Sequence, residues 1–161
     1  MDLKEFFLKQ KEAAHQGMVK VIGQIPANQM GWRPAPGMLS LGELARHVWV
    51  SEEGARRMAL HNDFGYFEKR IPSGLGAVLG EVEPLEKELA HIEAVHQDTL
   101  REVLGFPSER WNEERVNEPL EIRRSIAVAL FGITEHQIHH RAQVSTYIHI
   151  LTGQKASPYR V

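Results

Sequence analysis

The stretch Glu135-His136-Gln137-Ile138-His139-His140-Arg141 stands near the end of a long apolar-periodic run, from about Ser125 to Leu151. Along that run Ala129, Ile133, His136, His140, Tyr147 and Leu151 recur on one helical stripe, and Gly153 follows as a natural helix stop. His136 and His140 lie just over one helical turn apart, so both imidazoles leave the same face, one above the other. That is the spacing with which a helix holds a divalent metal. His139 also shares a face with His136, but the stripe through Ile133 and Tyr147 favours His140 and leaves His139 toward a neighbouring helix or solvent.

A third ligand has to come from another element. Ser40 followed by Glu43 is a capping box, and it opens a second helix on which Leu44, His47, Ser51, Gly54 and Met58 alternate at three- and four-residue steps. His47 is therefore on that helix's core-facing seam. Two buried histidines on adjacent turns and a third on another seam each need a donor and an acceptor, or cost about 1–3 kcal/mol apiece. A metal resolves the problem for all three at once, whereas hydrogen-bonded core histidines must resolve it one by one. Three neutral imidazoles around one ion leave a coordination position open for water or substrate.

Two further periodic runs complete the pattern. The first extends from about Asp2 to Ile25, with Leu3, Phe6, Phe7, Ala14, Met18, Val21, Ile22 and Ile25 on one side and Pro26 ending it. The third begins near Gly80 and carries Val82, Leu85, Leu89, Ile92, His96, Thr99 and Val103. His96 is thus predicted to face the bundle interior. It is either a core imidazole satisfied by hydrogen bonds or a proton carrier lining the metal cavity. Gln143 and Tyr147 follow the histidines of the last helix on the same face and are candidates for substrate binding or for packing. His15, His61, His91 and His149 are read as surface or half-buried residues without chemistry.

Between these runs the chain reads as ordered connections. Pro26 to Leu39 is a loop with Trp32 as anchor, and Asn62 to Gly80 is a glycine-rich crossover. Gly105 to Arg123 is a structured loop with a short extended piece at Pro119–Ile122. Four long helices joined by connections too long for simple hairpins predict an all-α, four-helix bundle, with residues 1–161 as a single domain.

Bulk properties narrow the function. The 161 residues are 42% hydrophobic and 25% charged, with a net charge of −2 and scattered Lys and Arg, which gives no electrostatic footprint for nucleic acid. No window approaches the ~20 apolar residues of a membrane span. Met1-Asp2-Leu3-Lys4-Glu5 leads straight into an amphipathic pattern rather than a signal peptide, and with the absence of cysteine this predicts a cytoplasmic protein. Without cysteine, any metal is held by nitrogen and oxygen, and any nucleophilic sulfur must come from a cosubstrate.

Ile25-Pro26, Trp32-Arg33-Pro34, Ser40-Leu41-Gly42-Glu43-Leu44-Ala45-Arg46-His47 and His136-Gln137-Ile138-His139-His140-Arg141-Ala142-Gln143, in that order, resemble the DinB/YfiT-like family. The resemblance covers almost the whole chain. Ala142 is a departure, standing where glycine is more usual. The resemblance implies an up-down-down-up bundle, often a homodimer, with a divalent metal on His47, His136 and His140. Relatives include metal-dependent S-transferases that use low-molecular-weight thiols such as bacillithiol, and mycothiol-dependent isomerases. The expected activity is therefore transfer of a small thiol to an electrophilic small-molecule substrate, with hydrolysis or non-catalytic metal or ligand binding as alternatives. Zinc suits a three-histidine site with an open position, and nickel, cobalt and iron also accept imidazole.

Overall fold

The computed structural model describes residues 2–158; Met1 and residues 159–161, part of the 1–161 domain span expected above, lie outside the described residues. Helix α1 (Leu3–Ile22) starts from Asp2, whose side chain accepts the Glu5 N–H. Helix α2 (Leu41–His61) starts from the expected capping box: Ser40 Oγ accepts the Glu43 N–H, and the Glu43 carboxylate accepts the Ser40 N–H. After α2 come α3 (Gly65–Ser73) and the single turn α4 (Gly76–Leu79), then α5 (Leu85–Gly105). A hairpin of β1 (Glu114–Asn117) and β2 (Ile122–Ser125) leads into α6 (Ile126–Thr152), which ends at Gly153 with φ of 74°.

The order of burial along each long helix fixes their directions. At one end of the molecule Phe7 of α1 packs with Met58 of α2, Val103 of α5 and Ile126 and Leu130 of α6. At the other, Met18 and Ile22 of α1 pack with Leu41 and Leu44 of α2, Ile92 of α5 and Val144 and Tyr147 of α6. The start of α1 thus meets the end of α2, the end of α5 and the start of α6. That is up-down-down-up, with α1 and α6 parallel neighbours and α2 and α5 the other such pair. No helix among the described residues is long and apolar enough to cross a membrane.

Several boundaries differ from the sequence reading. The expected third helix began near Gly80, but residues 80–84 are irregular and Val82 is exposed. Pro84 is the N-cap of α5, and the residue before a proline is biased away from helical dihedrals. Leu3 and Phe6, assigned to the buried side of the first helix, are exposed at the bundle end. The crossover after α2 holds two short helices rather than loop alone, because its glycines fall mostly at their termini. The extended piece placed at Pro119–Ile122 is instead the turn of the hairpin: residues 118–120 form a tight helical turn, Glu121 is left-handed at φ of 54°, and the paired strands flank it.

Candidate metal centre

The two bundle helices α2 and α6 bring His47, His136 and His140 together, and their ring nitrogens are the three-residue cluster suited to a metal among the described residues. His136 Nε2 is 3.0 Å from both His47 Nε2 and His140 Nε2. Two nitrogens each bound ~2.0–2.1 Å from one ion stand roughly 3 Å apart, so the spacing matches shared coordination.

Outer hydrogen bonds hold two of the rings and fix the tautomer of one. His140 Nδ1 is 2.8 Å from the Gln143 Oε1, which can only accept, so the proton of His140 is on Nδ1 and its Nε2 is bare. Gln143 in turn donates to the Tyr147 hydroxyl at 3.2 Å. The two residues expected to line a substrate cavity thus hold a ligand ring. His47 Nδ1 is 2.8 Å from Ser51 Oγ, which is itself 2.8 Å from the Tyr66 hydroxyl. Tyr66 reaches that position because Gly54 leaves room for its ring: a Cβ there would meet Tyr66 Cδ1 at 2.6 Å. Such outer hydrogen bonds orient metal-binding histidines and raise their basicity.

The inner nitrogens cannot satisfy one another. With His140 Nε2 bare, a proton on His136 Nε2 can align with only one of its two neighbours, and without that proton the His136 and His140 lone pairs face each other; either way one of the two 3.0 Å contacts is left without a hydrogen bond. Protonation is no remedy. Burial, with lesser contributions from neighbouring charges, pushes His47 and His136 down to about 3 from the ordinary 6.5, and burial lowers His140 as well. Three neutral imidazoles aimed at one point fit a divalent cation. His139 is exposed, its ring only edge-on to His140 at 4.8 Å.

A cavity of about 150 Å³ opens beside His47 and His136. Its walls include Ala55, Met58, Phe67, Ala129 and Ile133, with Glu52, Arg70 and Arg124 as the charged residues. A larger depression of about 380 Å³ lies across Tyr66, lined by Arg57, Asp63 and Lys69 among others, and does not touch the three histidines. Its Arg57 and Asp63 are paired with each other. The smaller cavity is the one adjacent to the candidate chemistry.

His96 is fully buried but is not on that cavity's wall. Its Nδ1 is 2.7 Å from Lys11 Nζ, its Nε2 is 3.0 Å from the Glu12 carboxylate, and its ring stacks on His15 at 3.6 Å. His15 is itself buried, contrary to its reading as surface or half-buried, with Glu93 2.8 Å from its Nε2. Lys11 continues to Glu52 at 3.0 Å, and Glu52 accepts from Thr99 and from Gln137. Among the described residues His96 connects to the cavity through Lys11 and Glu52.

Lys11, Glu52, Tyr66 and Arg70 were not singled out from sequence. Two of them carried a signal: Lys11 sits on the stripe Phe7, Ala14, Met18, and Glu52 on the stripe Ala45, Val48, Ala59. A charge on an apolar stripe marks a buried pair as readily as a histidine marks a ligand. Tyr66 and Arg70 come from α3, which has no long periodicity to read.

Acid should unfold the metal-free protein. The unfolded chain binds protons at His47 and His136 below about 6.5, while the folded chain resists until about 3. Unfolding then takes up protons, so stability falls as pH drops through that window. A bound ion adds to the loss, because only neutral imidazole coordinates. Urea midpoints of the metal-free protein measured from pH 7 to 4 test this; midpoints independent of pH would contradict it.

Comparison with known proteins agrees with the architecture. The chain is similar in structure to a crystallised DinB-like protein, YjoA from Bacillus subtilis, with a TM-score of 0.73, 14% identity and 95% of each chain covered. No curated protein matches the chain. The model of the DinB superfamily matches residues 10–144, which include all of α2 and α6 as far as Val144, and so His47, His136 and His140. With that match over most of its length, the chain belongs to the DinB superfamily.

Proposed function

We propose that the protein is a metal-dependent enzyme that transfers a low-molecular-weight thiol to an electrophilic small molecule. The observation that carries the metal is the convergence of three bare or competing Nε2 atoms at 3.0 Å separations. Support for a substrate comes from the adjoining cavity, whose apolar walls and few polar groups are what small-molecule sites present. A divalent ion there would lower the pKa of a bound thiol, as it does for water.

The chain's own residues supply the rest. Ser51 and Gln143 hold two imidazoles with their Nε2 atoms toward the centre. Ala55, Met58, Phe67 and Ile133 give one side of the site an apolar wall. The chain contributes no thiol, so the sulfur is the cosubstrate's. A proton-carrying part for His96 enters this proposal only as the far end of the Glu52–Lys11–His96 chain of contacts. A homodimer and a cytoplasmic setting belong to the same proposal.

The test is elemental analysis of protein purified without added metal or a polyhistidine tag, followed by thiol-plus-electrophile assays of the loaded protein. Zinc, nickel, cobalt or iron near one equivalent per chain, with electrophile consumed only when thiol is present, is the expected result. Consumption independent of thiol assigns hydrolysis instead. Metal bound without turnover of any electrophile assigns a binding protein.

A further inference from the structure

Eight of the eleven arginines among the described residues are paired with carboxylates: Arg33, Arg46, Arg56, Arg57, Arg101, Arg110, Arg115 and Arg123. The three without such a partner are Arg70, Arg124 and Arg141. Two of these three, Arg70 on α3 and Arg124 on β2, line the same cavity beside His47 and His136. Arg70 Nε is moreover shielded from solvent and has no hydrogen-bond partner among the described residues. A shielded, unpartnered donor is unfavourable, and an incoming acceptor would relieve it.

The cavity's carboxylate does not answer these guanidiniums. Glu52 is 2% exposed and already committed to Lys11, Thr99 and Gln137. The cavity therefore carries two uncompensated positive charges next to a centre that attracts anions once loaded. A guanidinium presents a planar fork of donors that matches a carboxylate, and such charge-assisted pairs are among the stronger hydrogen bonds.

We propose that this cavity is an anion-recognition subsite: the molecule taken beside the three histidines bears a carboxylate, bound by Arg70 and Arg124, on a short apolar body. The size of the body follows from the space. A volume of about 150 Å³ accommodates a carboxylate on a short carbon chain. Ala55, Met58, Phe67, Ala129 and Ile133 give that body an apolar wall. The inference rests on reading the trio as a metal centre beside a small-molecule site, and it names the class of molecule that site selects.

The experiment uses three small probes: propionate, 3-mercaptopropionate and the uncharged 3-mercaptopropionamide. Binding to zinc-loaded, ¹⁵N-labelled protein is followed through the arginine Nε–Hε resonances. Thiolate binding to the cobalt-substituted protein is followed through sulfur-to-metal charge-transfer absorption. Expected are a shift of the Arg70 resonance with both acids, and at least about tenfold tighter binding of the mercapto acid than of its amide. Arg70→Met and Arg124→Met should each bring the acid toward the amide and leave the amide unchanged. Arg123→Met, next to Arg124 but paired with Glu114 and Glu118, should change neither. Arg124 is exposed, so its variant tests the subsite even if Arg70→Met fails to fold.

Equal binding of acid and amide, or variants that weaken both alike, would overturn the subsite while leaving thiol binding at the metal intact. A missing charge-transfer band, with propionate still moving the Arg70 resonance, would instead remove the thiol reading and uphold the subsite.

Discussion

His47→Ala, His136→Ala and His140→Ala should each abolish stoichiometric metal binding, whereas His139→Ala should keep it. The three nitrogens that converge belong to residues on two helices, and no fourth histidine joins them among the described residues. Loss of one ligand leaves two, with a cavity where the third stood. Outer partners of a metal site are worth about 10–100-fold in affinity, so a direct ligand should exceed 100-fold. His139 is exposed and reaches only the edge of the His140 ring, so its loss removes packing at most. Competition with a chromophoric chelator measures all four variants on one scale. Retention of metal by His140→Ala together with its loss from His139→Ala would show that α6 presents the other face.

The sequence made this trio readable because its geometry is local twice over. The His136/His140 spacing needs only a helix, and the stripe of α2 needs only its capping box and its apolar steps. The directions of the helices were not readable from periodicity, since a stripe shows which face is buried and not which neighbour buries it; the up-down-down-up order came from the resemblance. The hairpin was missed because four-residue strands give too few alternations to stand out. Arg70 and Tyr66 were missed for a related reason. Their helix is short, and what places Tyr66 against Ser51 is the space at Gly54, a contact between elements that neither one announces alone. His96 marks most clearly where periodicity stops being informative. Its stripe correctly put it inside, but depth and partner are tertiary facts, and its partners prove to be Lys11, Glu12 and His15.

Lys11→Ala and Glu52→Ala should each cost about 3–5 kcal/mol of folding stability, the range for removing one partner of a buried ion pair. Lys11 is 0% exposed and Glu52 2%, at 3.0 Å from one another, so either deletion strands a charge in the core. The two variants should then diverge with pH. Burial already holds the Lys11 ammonium below its ordinary 10.5, and Glu52 is the main influence raising it again. Without Glu52 the folded state sheds that proton more readily, while the unfolded chain keeps it up to about 10.5. Unfolding of Glu52→Ala therefore takes up a proton, and the variant should regain stability relative to the parent as pH rises from 7 toward 10. The combined change Lys11→Met with Glu52→Gln strands no charge and keeps an acceptor for Thr99 and Gln137, so it should cost clearly less than the sum of the single alanine changes. Urea unfolding at pH 7 and 9.5 reads all of these, and single changes costing under about 1 kcal/mol would refute the pair's role. The pair matters to the site as well as to the core. Glu52 grips Gln137, the residue next to His136, so the same carboxylate that neutralises Lys11 also fastens α6 to α2 at the level where their histidines meet.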